Sequence, residues 1–242
     1  MTIDSSYDDL PELDRPPTYA ATDPLHPSNS VSNHANTDET PPNFPTYSIV
    51  SSHTSSGLNI THDEHQLYYI GRYDHQAKPE LALYGGYDAY GPQLALAKFG
   101  LREKDFAIYL GGLKHPGAND WDVVRHATDG RLFHHPLYRF EITSSTASTD
   151  DRAPRVKQRL HWQKTHESKL GASYFSMRDF KLVDEGGDDE VLAVFTDHGR
   201  AGKLEFRRRV DERVEIAALI TLMAMVERMK RVVGAAAKAV GA

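Results

Sequence analysis

IAALITLMAMV, residues 216–226, is an almost unbroken apolar run near the end of the chain in which Thr221 is the single polar exception. Glu215 and Glu227 flank it, and at about 100° per residue these two and Thr221 point to three different sides. A helix with no polar face must be enclosed by protein or by lipid. A bilayer span needs roughly 20 apolar residues, and this run is followed at once by Arg228, Lys230 and Arg231. Protein is therefore the expected enclosure. Eight strands enclose only room for side chains, whereas about eleven close around a helix roughly 10 Å across. The number of strands becomes the test.

Strand-like runs bounded by turn residues follow one another along the chain. They fall at 46–51, 66–73, 80–84, 93–99, 106–110, 121–126, 137–143, 155–166, 173–184, 190–196 and 202–209, with a twelfth candidate at 131–134. In the longest, Val156, Leu160 and Trp162 share a face with Gln158, opposite Arg155, Lys157, Arg159, His161 and Gln163. In the last, Leu204 and Phe206 oppose Lys203, Glu205 and Arg207. Such alternation belongs to half-buried antiparallel strands, and no βαβ spacing is present. Asp211 suits a helix start, and Gly234 suits its end, with the cations at 228–231 near a C-terminus that favours them.

The expected fold is mainly β: a closed antiparallel barrel of about twelve strands around one hydrophobic C-terminal helix. The barrel spans 45–233, its helix lies at 211–233, and the Ala-rich 234–242 frays from the helix end. Residues 1–66 carry ten acidic groups against Arg15 alone, a charge of −9, which leaves +3 for 67–242. An acidic, Pro/Ser/Asn/Thr-rich segment buries too little surface to offset chain entropy, so residues 1–44 are expected to be disordered.

The chain has no cysteine, which removes disulfides, thiol nucleophiles and zinc fingers. The acidic start lacks an apolar segment of the secretory kind, so a cytosolic protein is expected, able to reach membranes from that side. A formal charge of −6 argues against general nucleic-acid binding. No GxSxG elbow, P-loop, HExxH or Rossmann fingerprint occurs, and a non-enzymatic role with no cofactor is expected. Asp197-His198 reads as turn chemistry rather than half of a triad. His62-Asp63-Glu64-His65, His134-His135, and the pair His161 and His166 lack the three or four convergent ligands of a metal site. Trp121 and Trp162 read as core or barrel-wall aromatics.

Two motifs carry partner chemistry. Pro16-Pro17-Thr18-Tyr19 is a PPxY sequence whose prolines pre-set an extended backbone for an aromatic WW-domain groove, with Tyr19 filling the next pocket. WW-containing ubiquitin ligases of the Nedd4 type are the implied partners. The second is a basic face: Arg155, Lys157 and Arg159 on one strand and Arg207 and Arg209 on the last. If those strands are neighbours, the five could hold a lipid phosphate. The bland alternative is an ordinary solvated strand guarded by cations.

About twelve antiparallel strands followed by helix 214–233, with the hairpin Tyr84-Gly85-Gly86-Tyr87 … Gly91-Pro92 … Ala97-Lys98-Phe99, resemble the tubby C-terminal-like superfamily. That group includes tubby domains, LURP-one-related proteins and phospholipid scramblases, and the resemblance covers 45–233. It looks closest to fungal members with a Pro/Tyr-rich tail. It implies a barrel closed around the helix and, by analogy with tubby domains, phosphoinositide binding, although fold alone does not transfer function. The expected role is an adaptor: the tail recruits a WW-domain protein, and the barrel binds an anionic membrane lipid or a protein partner. Scramblase-like or lipid-carrying activity is the alternative. The basic Arg228, Lys230 and Arg231 depart from a scramblase calcium site near the helix end.

Overall fold

The computed structural model describes residues 44–52, 56–73, 79–100, 104–112, 116–128, 136–145, 155–173, 176, 178–186, 189–199 and 201–240. The tail expectation over 1–43, including Pro16, Pro17 and Tyr19, the candidate strand 131–134 and His134-His135 lie outside the described residues.

Twelve strands form: β1 (Thr46–Ser51), β2 (Leu58–His62), β3 (His65–Arg72), β4 (Leu81–Gly85), β5 (Gln93–Phe99), β6 (Phe106–Leu110), β7 (Asp122–Thr128), β8 (Pro136–Ser145), β9 (Arg155–Lys164), β10 (Phe180–Asp184), β11 (Glu190–Asp197) and β12 (Ala201–Phe206). Each pairs antiparallel with its neighbour in the chain, and β1 closes the ring on β12. Closure leaves no free sheet edge. Helix α1 (Glu212–Val240) follows.

The alternation read in the sequence becomes inside and outside. Leu160 and Trp162 of β9, and Leu204 and Phe206 of β12, are buried inside, whereas Lys157, Arg159 and Lys203 are exposed. The barrel wall packs on the apolar helical run, in which Ala217, Ala218, Leu219, Ile220, Thr221, Leu222, Ala224 and Met225 have no exposed surface. Alanines at 217, 218 and 224 let the wall approach closely; the leucines and isoleucine fill what remains. Each large side chain so buried contributes about 1.5–3 kcal/mol. Asp211 caps α1, its Oδ1 accepting the Arg213 N–H at 2.7 Å.

Two interior polar contacts hold the helix in register with the wall. Trp162 Nε1 donates to Thr221 Oγ1 at 2.8 Å, and the Thr221 hydroxyl in turn donates to the Ala217 carbonyl at 2.6 Å. One turn after the cap, Glu215 Oε1 accepts hydrogen bonds from the Tyr47 and Tyr68 hydroxyls at 2.6 and 2.8 Å. Thr221 inside the run and Glu215 just before it are thus attachment points.

Four expectations are corrected. Strand β2 is an additional strand, its short Leu58/Ile60 alternation ending in His62-Asp63-Glu64-His65, which is the two-residue turn joining β2 to β3. Strand β10 occupies only the end of 173–184, and β12 ends at Phe206, so Arg207 and Arg209 lie beyond it. Finally, α1 does not end at 233. Gly234 costs about 1 kcal/mol in a helix, but Ala235, Ala236 and Ala237 are the best helix formers and carry it to Val240.

In the β2–β3 turn both central residues carry positive φ, 47° at Asp63 and 67° at Glu64, as a type I′ turn requires. Glycine takes that conformation without the penalty of a Cβ. Glu64→Gly is expected to raise stability by about 1 kcal/mol, read as a higher midpoint in urea denaturation. Gly91 is constrained the opposite way, by space: a Cβ there would lie 1.8 Å from the Gly85 carbonyl oxygen.

Candidate functional site

The outer face of β7, β8 and β9 gathers cations across three adjacent strands. Arg125 of β7 lies opposite Arg139 of β8, while Glu141 and Thr143 of β8 lie opposite Arg159 and Lys157 of β9. All point outward because their neighbours in sequence, Val124, Phe140, Ile142 and Leu160 among them, are buried inside. Together with Trp121 and Glu185, the arginines line an open concavity of about 500 Å³.

Asp122, Glu141 and Glu185 line the same concavity as the three arginines, so the net positive charge of the face comes from Lys157 beside it. Arg139 Nε meets Glu185 Oε1 at 2.9 Å, and Arg159 Nε meets Glu141 Oε1 at 3.0 Å. Arg125 and Lys157 are exposed with no ion pair among the described residues. Exposed pairs of this kind are worth about 0–1 kcal/mol, little enough for an incoming phosphate to displace. His161 sits at the edge of the patch, its Nδ1 3.1 Å from Glu185 Oε1. Burial pushes its imidazolium below the usual histidine value, and Glu185 pulls the other way. Burial also raises the Asp122 carboxyl, against the pull of Arg213 and Lys157.

The five-residue cluster expected from the sequence is not assembled. Strands β9 and β12 are separated by β10 and β11, roughly 14 Å around the wall at the usual strand spacing. Arg207 donates to the Leu170 carbonyl at 3.0 Å and lies 3.4 Å from Glu205. Arg209 is exposed in the segment after β12. Arg155 pairs through its backbone with Ser145 at the start of β9; its side chain is outside the described residues. Lys157 and Arg159 remain, joined by Arg125 and Arg139. Those two were missed because their strands show no run of cations; only the register across strands brings them together.

The other motifs resolve into local structure. His62 bonds to the Thr46 carbonyl oxygen of β1 at 2.9 Å, and His65 to the Asp63 carbonyl oxygen within the hairpin at 2.8 Å. Among the described residues no group of three His, Asp or Glu side chains is arranged to hold a metal. Asp197 accepts from the Gly199 N–H at 2.7 Å, and His198 Nε2 meets Thr196 Oγ1 at 3.2 Å, so Asp197-His198 builds the β11–β12 turn. Trp162 is an interior wall residue as expected. Trp121 is an outer one, with the Lys98 ammonium 3.8 Å above its ring.

A second outer feature went unread in the sequence. Over β4 and β5 runs a groove of about 670 Å³ whose lining includes Tyr73, Pro79, Tyr84, Tyr90, Pro92 and Leu96. The Tyr73 and Tyr84 hydroxyls are hydrogen-bonded at 2.6 Å, which fixes both rings, while Tyr90 is 97% exposed at the rim. Beneath it Ala82, Leu96 and Tyr109 form a small apolar cluster outside the barrel.

Among the described residues no helix is long and apolar enough to cross a membrane. Compared with family models and with curated proteins, the chain matches none.

Proposed function

We propose that this barrel is a non-enzymatic adaptor that binds a phosphoinositide headgroup on the outer face of β7–β9, while the PPxY tail recruits a WW-domain protein. One observation carries the reading: Arg125, Arg139 and Arg159 line a shared concavity from three adjacent strands, and Lys157 stands exposed two residues from Arg159 on the same face of β9. Guanidinium groups match phosphate oxygens in pairs, and Lys157 adds a mobile point charge. The reading agrees with the tubby-like resemblance, whose architecture is a barrel threaded by its last helix. A lipid-carrying or scramblase-like barrel is less favoured, because the helix and the wall side chains fill the lumen that a lipid would need.

The test is flotation with anionic vesicles. Each cation near such a surface contributes about 1 kcal/mol, so Arg125→Ala/Arg139→Ala should weaken capture roughly 30-fold at modest salt. Undiminished capture removes the face from the account. A pull-down with an isolated WW domain tests the tail: Tyr19→Ala should abolish retention of the full chain, and equal retention would dismiss that half.

The tyrosine and proline groove favours a protein partner as a second reading for the barrel. Rings fixed by the Tyr73–Tyr84 hydrogen bond offer a preorganised surface of the type that docks extended proline-rich peptides.

A further inference from the structure

Where α1 leaves the barrel, Arg72, Arg178, Lys230 and Arg231 gather around a mouth whose acidic groups are Asp179, Asp197 and Glu227. The simple explanation for cations at 228–231 is the negative end of a helix dipole. It fails here, because that effect is confined to the last turn and α1 continues to Val240. Lys230 and its neighbours lie more than two turns before the end. Neither do local ion pairs account for the surplus. Glu227 is shared by Arg231 at 3.2 Å and Arg72 at 3.6 Å, and Asp197 is held by Arg178 at 3.2 Å and by the Gly199 N–H. Lys230 has no ion-pair partner among the described residues.

The mouth is also built rather than incidental. Asp179, 2% exposed, accepts hydrogen bonds from the Ser173 N–H at 2.7 Å, the Ser176 hydroxyl at 2.7 Å and the Asp197 N–H at 2.9 Å. One buried carboxylate therefore ties the segment bearing Arg178 to the end of β11 bearing Asp197. Arg178 and Lys230 then face a cleft of about 70 Å³, also lined by Ser51, Asp197 and Gly199. That is the space of two or three waters at roughly 30 Å³ each, enough for one phosphoryl group. Burial, then the nearby Arg72, lower the Lys230 ammonium below its usual value, with Arg178 acting the same way and Glu227 and Asp197 opposing.

We propose that this mouth is a second site, separate from the outer arginine face, for a tetrahedral oxyanion of the phosphate monoester class, gripped by Arg178 and Lys230 with Arg72 behind. The ligand chemistry is shared by free phosphate compounds and by lipid headgroups, and the experiment separates them. The full chain is titrated calorimetrically with inorganic phosphate, with chloride at equal ionic strength as the control. Saturable one-site binding is expected, weakened roughly tenfold or more in Lys230→Met and in Arg178→Met, since a charge-assisted hydrogen bond is lost in each. Lys230 is partly exposed where α1 reaches the surface, and far-ultraviolet circular dichroism checks that Lys230→Met keeps the fold. Phosphatidylcholine vesicles carrying phosphatidylinositol monophosphate form the second arm. Capture lost in Lys230→Met identifies a headgroup ligand; phosphate binding without such capture identifies a soluble one. No saturable phosphate binding by the wild type, or equal affinity in Lys230→Met, overturns the mouth site. Vesicle capture that depends on Arg125 and Arg139 but not on Lys230 assigns lipid to the outer face alone.

Discussion

Replacing Trp162 by alanine is expected to lower the unfolding free energy by about 3–5 kcal/mol, the largest effect of any single change considered. The loss is large against a total of about 5–15 kcal/mol for a domain. Trp162 is wholly buried between wall and helix, so truncation leaves a cavity that neither can collapse to fill. It also removes the donor to Thr221. The polar part separates cleanly. Thr221→Val keeps the volume but strands the indole N–H in an apolar interior, which costs about 1–3 kcal/mol. Trp162→Phe/Thr221→Val removes both partners and should cost less than its two single changes together. Urea denaturation followed by circular dichroism reads all four free energies. Strict additivity, with Thr221→Val neutral, would mean that the helix is not pinned to β9 by this bond.

The second large effect is alkaline. Tyr47 and Tyr68 both donate to Glu215, and burial first, reinforced by that carboxylate, pushes both phenols far above their ordinary value near 10. Below about pH 10 the folded and unfolded chains both keep these protons, and the stabilisation is whole. Above it the unfolded chain releases them while the barrel does not. Stability therefore falls as pH rises, by up to about 1.4 kcal/mol per pH unit for buried Tyr47. Tyr47→Phe should lower stability at neutral pH, by about 1–2 kcal/mol for the lost bond, yet flatten the alkaline branch. Melting temperatures across that range distinguish the outcomes. A wild-type curve as flat as that of Tyr47→Phe would contradict the Tyr47–Glu215 contact.

Most of the architecture was legible because one constraint dominates it. An apolar run with no polar face at 216–226 has to be enclosed, and strands with Leu160 and Trp162 opposite Lys157 and Arg159 supply a wall with one dry side. Thr221 looked like an exception to the pattern. Its reason lay 59 residues away, in an indole that sequence spacing cannot place beside it. Strand β2 escaped notice because five residues are a weak signal and its turn uses Asp63 and Glu64 where glycine or asparagine is the usual sign. The helix end was misplaced because Gly234 is a good stop only when poor helix formers follow it, and alanines do.

The candidate site was legible only along single strands. Lys157 and Arg159 were found by their spacing of two, and the outward face assigned to them holds. Pairing them with Arg207 and Arg209 assumed neighbours that a ring of twelve strands keeps apart. The residues that do join them, Arg125 and Arg139, each stand alone in sequence. The tyrosine groove was hidden for the same reason: Tyr73, Tyr84 and Tyr90 come from separate segments that meet only on the folded wall.

Thiol labelling tests most directly whether the helix lies inside the barrel. The chain has no cysteine, so Ala224→Cys places one thiol at a wholly buried helix position and Val232→Cys places one where the helix is 63% exposed. Under native conditions the Ala224→Cys thiol should react at least about a thousandfold more slowly than that of Val232→Cys, because labelling must wait for unfolding. In denaturant the two rates should converge. Comparable native rates at both positions would mean that solvent reaches the helix, and the enclosed-helix account would be wrong.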